Sequence, residues 1–237
     1  MTVKPPPIPP EPPFSVREPF LIGIDGVTRL TLVRHAQQDY PVTDDFDHAQ
    51  WEDPPLSALG HVQAHAVSAV LGEQEVDVVA CSTMTRARQT AEMVASPHGI
   101  KPLVIPDLRE IDSYRDLPAG VLPVDSVPAD EWQERQDRFR IERRWDLMPF
   151  GEPAAEFRAR CLAALTGLIA EHAGKNVVVV GHGGVINAYV ADVLGLDEDL
   201  FFLPNHASLT SVVIKGPVRR IHAINEHQHL HTGILTN

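Results

Sequence analysis

Three short segments place histidine and arginine where apolar runs end. Leu32-Val33-Arg34-His35-Ala36 closes a run over residues 28–33, and Gly181-His182-Gly183-Gly184 follows the four valines at 177–180. Between them, Cys81-Ser82-Thr83-Met84-Thr85-Arg86-Ala87-Arg88 follows the run at 76–80. Each piece alone is weak. An Arg-His pair at a strand end is commonly structural, Gly-His-Gly-Gly lacks the GxGxxG spacing of dinucleotide sites, and Arg86 and Arg88 suit a helix surface. Together they would bring two histidines and two or three arginines to one edge, which makes an anion site whose residue types suit phosphate.

The chemistry follows from those types. A phosphoryl group in transfer spreads negative charge over its equatorial oxygens, so it needs positioning and positive potential. Arginine offers a permanently charged fork that matches such oxygens. An imidazole can attack phosphorus and form a covalent intermediate, dividing one hard step into two. A second, protonated histidine can donate to the same oxygens, and a helix opening at Gly183-Gly184 adds backbone donors and its positive end. The leaving alkoxide needs a proton, usually from a carboxyl group of raised pKa.

These residues must be carried by elements that end together. Residues 28–33 read as a strand, and residues 57–71 follow with Leu59, Val62, Ala66, Val67 and Val70 at helical spacing. Residues 76–80 form a second strand, with a helix through 91–94; residues 103–105 are a short third. A helix over 157–170 leads to the valine run, which reads as a strand buried on both faces. Strands at 209–214 and 218–224 close the domain. The alternation predicts an α/β three-layer sandwich, a mainly parallel sheet covered by helices on both faces. Open sheets of this kind bind ligands at the carboxyl ends of their strands.

Two segments depart from this texture. Eight of the 21 prolines fall in the first nineteen residues, so 1–20 is expected to be a disordered, polyproline-like leader. Its PxxP spacing fits an aromatic-lined groove on a partner. Residues 107–153 form a looser, cap-like insertion within the domain at 21–237. In it, 130–146 mixes both charge signs with Trp132, Phe139 and Trp145, and is expected to be a solvated, salt-bridged helix rather than a wall of arginines facing substrate.

Composition limits the partners. The 237 residues suffice for a core without staples, and 32 acidic against 20 basic residues give a net charge of −12. Such a chain repels a nucleic-acid backbone, although one local cationic pocket is allowed. Two cysteines suit a reducing cytoplasm, no apolar run approaches a membrane span, and prolines stand where a signal peptide needs an apolar segment. The expected partner is a small phosphorylated metabolite, with no nucleic acid and no membrane. A homodimer and a proline-motif partner for the leader stay open.

Leu-Val-Arg-His at 32–35, Leu-Ser-Ala-Leu-Gly-His-Val-Gln-Ala at 56–64, Ser-Thr-Met-Thr-Arg-Ala-Arg-Gln-Thr-Ala at 82–91 and Val-Gly-His-Gly-Gly at 180–184 resemble the histidine phosphatase superfamily, phosphoglycerate mutase-like branch. Gly151-Glu152, Phe157, Arg160, Asn225 and His229-Leu230 add lesser matches. The resemblance implies that His35 is the phosphorylated nucleophile and that Arg34, Arg86 and His182 complete the phosphate pocket. It implies Glu110 as proton donor, with Asp112 in reserve, and neither a metal nor an organic cofactor. Its implied activity is hydrolysis of a small phosphate monoester; a phosphoglycerate-type mutase and a non-catalytic phosphate-binding protein are the alternatives. The segment after Glu110 lacks the Gly- and Trp-rich continuation of true mutases.

Two departures bear on this reading. Ala36 stands where the family usually has glycine, which would strain a backbone of positive φ. Gln37-Gln38 replaces the usual Ser/Thr-x-Asn, leaving Gln38 as a candidate for the phosphate pocket beside Gly183. His227, His229 and His231 alternate as metal ligands can, but suit a solvated tail better. His206, in Asn205-His206-Ala207-Ser208, could approach the pocket rim but is not taken as a site residue, and Cys81 reads as a small buried residue rather than a nucleophile.

Overall fold

The computed structural model describes residues 17–41, 51–118, 121–122, 125–231 and 233–237. The proline run of the expected leader lies outside them. Its last residues do not: Glu18–Phe20 form a 3₁₀ turn whose Pro19 and Phe20 carbonyls accept from Arg220 Nε at 2.8 Å and His222 Nε2 at 3.2 Å.

The strands are β1 (Thr28–Arg34), β2 (Val78–Cys81), β3 (Leu103–Val104), β4 (Asn176–Gly181), β5 (Leu209–Lys215) and β6 (Val218–Glu226). They form one sheet in the order β3-β2-β4-β1-β5-β6. The four strands β3, β2, β4 and β1 run parallel, while β5 runs antiparallel to β1 and β6 to β5. The antiparallel edge follows from chain length. Only Gly216 and Pro217 separate Lys215 from Val218, and two residues cannot make the crossover that a parallel pair needs.

Helices cover both faces. On one side α1 (Ala58–Gly72) and α2 (Thr85–Ala95) pack through Val67, Leu71, Ala91 and Val94 onto Val33, Val79, Val178 and Val180. On the other, α4 (Ala154–Glu171) and α5 (Gly183–Leu194) bring Phe157, Leu165, Ile186 and Tyr189 onto Leu30, Leu32, Val177 and Val179. Successive side chains of a strand point to opposite faces, so the four valines of β4 feed both cores in turn. Each is at most 2% exposed. Full burial on two faces at the sheet centre is why a valine run, rather than an alternating pattern, encodes this strand.

α3 (Ala129–Glu142) has no buried residue. Its arginines pair along the helix, Arg135 with Glu131 at 2.9 Å and Arg138 with Glu142 at 2.7 Å, the i,i+4 spacing at which side chains meet. Those guanidinium groups are spent on the helix's own acids.

The loop after β1 is anchored from below. Ser57 caps α1, its Oγ accepting from Gly60 N at 2.9 Å, and its backbone N–H donates to Gln37 O at 2.9 Å. Gln63, fully buried on α1, accepts from Gln37 N at 2.8 Å and donates to Ile234 O at 2.6 Å and Thr236 Oγ1 at 2.8 Å. Gln63→Leu would remove the side-chain partner of the partly buried Gln37 N–H and Ile234 C=O, each loss costing about 1–3 kcal/mol. Urea denaturation should give a loss of about 3 kcal/mol.

Candidate active site

The register puts three strand ends level. Arg34 of β1 pairs with Gly181 of β4, and Cys81 of β2 with Val180 of β4. The next residues, His35, His182 and Ser82, therefore leave the sheet side by side at its carboxyl edge. The ring centroids of His35 and His182 are 5.1 Å apart.

His35 is 4% exposed, and its Nδ1 lies 2.8 Å from Ala36 O. A carbonyl only accepts, so the ring proton sits on Nδ1 and Nε2 keeps its lone pair. Arg86 Nε donates to that Nε2 at 3.2 Å. Burial and then the charges of Arg86, His182 and Arg34 hold the His35 pKa well below its ordinary value, so the ring is neutral at pH 7. Burial and the charges of Arg86 and Arg34 act in the same direction on His182.

The proton of His182 follows from its neighbour. Ser82 Oγ accepts from Met84 N at 3.2 Å and lies 2.7 Å from His182 Nε2. The hydroxyl's own hydrogen can then point to Nε2, and in that tautomer the ring proton stands on Nδ1, a buried atom with no hydrogen-bond partner among the described residues.

Two arginines share this edge. Arg34 donates through Nη1 to Pro204 O, and Arg86 through Nη1 to Glu52 O at 3.0 Å. Burial lowers the pKa of both, and the nearby Glu110 opposes it most. Arg88 is exposed on the outer side of α2, because residues two apart on a helix point to nearly opposite faces. The anion site thus holds two arginines, not three.

Glu110 meets the start of α5. Its Oε2 accepts from Gly184 N at 3.0 Å and its Oε1 from Ile111 N at 3.1 Å. Both bonds favour the carboxylate, but burial outweighs them and the pKa is raised. The amide recorded at this helix start therefore serves Glu110, with Gly183 beside it. A Cβ on Gly184 would stand 2.3 Å from Glu110 Oε1 and 3.0 Å from Phe157 Cζ, so only glycine lets the carboxyl group lie here.

The backbone of Glu110 is clamped from α4. Arg160 makes a two-pronged pair with Glu152, both bonds 2.7 Å, and donates to the carbonyls of Asp107 at 2.7 Å, Arg109 at 2.9 Å and Glu110 at 3.2 Å. Those partners account for the matches at 151–160. Asp112 is engaged locally, its Oδ1 accepting from Tyr114 N at 3.0 Å.

Ala36 needs no glycine. Positive φ occurs, among the described non-glycine residues, at Leu21, Arg143, Ala207 and Asn225 only. The Ala36 methyl is fully buried and its N–H donates to Thr90 Oγ1 at 3.1 Å. Gln38 reaches the site through a third histidine, its Oε1 lying 3.1 Å from His206 Nε2.

His206 is the residue that sequence reasoning undervalued. Its ring centroid is 5.5 Å from that of His35, and burial with Arg34 and Arg86 lowers its pKa to about 3. Its Nδ1 lies 2.9 Å from Thr236 Oγ1, and its backbone N–H donates to Thr236 O at 3.0 Å. His206 precedes β5, and the antiparallel pairing of Val33 with Leu209 returns that strand's start to the carboxyl edge of β1. Strand direction was the missing signal. The C-terminal histidines instead support this loop: His229 Nε2 donates to Ala207 O at 2.9 Å, and His227 Nδ1 lies 2.7 Å from Asn225 O. No group of three metal-ligating side chains occurs among the described residues.

A cavity of about 160 Å³ opens beside this cluster, lined by Arg86, Glu110, Tyr40, Trp51, Tyr114 and Asp112 among others. Glu110 to Tyr114 are the contribution of the 107–153 segment; α3 does not line it. Cys81 and Cys161 are buried free thiols, with burial raising the Cys81 pKa to about 11. No helix among the described residues is long and apolar enough to cross a membrane.

Comparison with known proteins agrees with this arrangement. A probable phosphoglycerate mutase, GpmB, of Yersinia enterocolitica is 30% identical over 171 residues, 71% of this chain and 75% of that protein. The native structure of a mycobacterial glucosyl-3-phosphoglycerate phosphatase superposes with a TM-score of 0.65 at 25% identity, over 85% of this chain and 100% of that one. A putative alpha-ribazole-5′-P phosphatase from Escherichia coli shares the fold, with a TM-score of 0.66 at 24% identity over 84% of this chain and 96% of that one. The family model for the histidine phosphatase superfamily (branch 1) matches residues 30–227, from within β1 to the end of β6, and this chain belongs to the histidine phosphatase superfamily.

Proposed function

We propose that the protein is a cytoplasmic phosphatase that hydrolyses a small phosphate monoester through a phosphohistidine at His35. The observation that carries this reading is a complementary pair. A neutral imidazole has its proton fixed on Nδ1, and burial makes a carboxyl group beside the same arginines hold its proton to higher pH than an ordinary carboxyl group.

The steps use groups already in place. His35 Nε2 attacks phosphorus as the bond to the ester oxygen breaks, and Glu110 gives its proton to that oxygen. Arg86, which donates to Nε2 at 3.2 Å, transfers its bonds to the phosphoryl oxygens, joined by Arg34 and by the Nδ1–H of His182. Glu110, now ionised, takes a proton from water as the water attacks phosphorus. The P–N bond breaks, and inorganic phosphate and neutral His35 result. A bound phosphate would also offset the cationic charge that holds down both histidine pKa values.

Brief reaction with a ³²P-labelled ester, followed by alkaline quenching, should leave acid-labile label on the wild type and none on His35→Ala. Transfer of that label to a phosphoglycerate acceptor would identify a mutase. Label on neither protein, with any ester, would identify a binding protein.

Glu110→Gln should lower kcat for alkyl esters by about 10²–10⁴. Because the Glu110 pKa is raised, its proton persists above the ordinary carboxylate range and wild-type kcat falls as pH rises through that raised value. The pH profile of Glu110→Gln should lack this decline. Gly184→Ala, which pushes the Glu110 carboxyl aside, should lower kcat at least about tenfold, equivalent to ~1.4 kcal/mol. The label on His35 should persist in that variant.

A further inference from the structure

Beyond the phosphate-binding groups, the cavity is lined by aromatic and apolar side chains and by two acidic residues. Tyr40 and Trp51 stack with ring centroids 5.2 Å apart and planes 28° from parallel. Tyr114, Met84 and Ile111 line the same space, and Tyr40 is 49% exposed where it opens. Glu52 and Asp112 also line this cavity.

The cations nearby are committed. Arg86 serves the phosphoryl group under the reading above. Arg109 forms an ion pair with Glu52 Oε1 and donates to Thr83 Oγ1 at 3.3 Å.

A second anionic group on the substrate would therefore meet Asp112 and the neutralised Glu52–Arg109 pair rather than an unpaired guanidinium, and like charges at short range repel. A flat uncharged ring instead gains from the aromatic platform, since ring stacking adds to simple burial. Hydroxyl or amino donors on the alcohol would find acceptors in Glu52 and Asp112.

The geometry points to a substrate class: a monophosphate ester whose alcohol carries a flat, uncharged ring and hydrogen-bond donors but no second anion, as a nucleoside monophosphate does. This rests on the phosphatase reading and narrows it. It separates the chain from enzymes whose phosphate ester also bears a carboxylate.

The test compares kcat/KM of the full-length protein for three primary-alcohol phosphates. They are a nucleoside 5′-monophosphate, glycerol 3-phosphate and 3-phosphoglycerate, so the leaving oxygen is alike in all. The nucleotide should exceed glycerol 3-phosphate by about tenfold or more, and 3-phosphoglycerate should be the poorest. Trp51→Ala and Tyr40→Ala should each shrink the nucleotide-to-glycerol ratio to within about twofold, mainly through KM, and Trp51→Phe should restore it. Thermal melts verify that the variants fold.

Equal or better turnover of 3-phosphoglycerate overturns the proposal, as does a ratio that neither aromatic variant moves. In both cases turnover through labelled His35 would leave the phosphatase reading standing. Absence of phosphate release and of label with every ester overturns both.

Discussion

Burying positive charge beside imidazole is the constraint on which the rest of this structure turns. Arg34 and Arg86 lie at the carboxyl edge of the sheet, within reach of His35, His182 and His206. Guanidinium groups stay charged when buried, so the imidazoles, whose pKa values lie near neutrality, give up their protons instead. The neutral ring that results is the form able to act as a nucleophile. One electrostatic arrangement thus both marks the anion site and prepares the group that would attack the anion.

The surrounding fold holds that arrangement against its own repulsion. Backbone carbonyls of Pro204, Glu52 and Ala36 accept from Arg34, Arg86 and His35, so each of these three side chains has at least one oxygen to face. Glu110 adds an acid to the cluster, yet burial and not ion pairing dominates its titration. Its backbone is held by Arg160 on α4 and its side chain by the Gly184 amide of α5, so two helices on one sheet face set its position. The loop before β5 closes the opposite side. Ala207 there has a φ of +56°, a costly conformation for a residue with a Cβ, and its N–H donates to Arg34 O at 3.0 Å. Strain of that kind persists only where neighbouring bonds over-determine the backbone.

Much of this was legible in the residues. The four valines of β4 announced a strand covered on both faces, and helical spacing over 57–71 announced α1. Arg34, His35, Arg86, His182 and Glu110 were all named from types and motifs, and all five gather at one edge. The rest was hidden for physical reasons. His206 depends on the direction of β5, which follows from pairing rather than composition. Gln63 reads as one more polar residue on a helix, and only its place between the 37–38 loop and Thr236 makes it a keystone. Arg88 carried the same signal as Arg86 and was separated from it by helix geometry alone.

By itself the sequence determined the alternation of elements, the chemical types at three strand ends, and the family to which the chain belongs. These are properties of residue order, because strand and helix periodicity and the identity of a terminal side chain are written locally. Tertiary structure decided the ionisation of those groups, the third histidine, and the shape and charge of the wall beyond the phosphate. Such properties depend on what residues distant in the chain remove from water or place within a few ångströms. Tyr40 and Trp51 stack across residues 41–50, Glu110 meets Gly184 across 73 intervening residues, and His206 meets Gln38 across 167. Desolvation and close contact are set only when the chain is folded, and they turn a set of basic residues into a selective site.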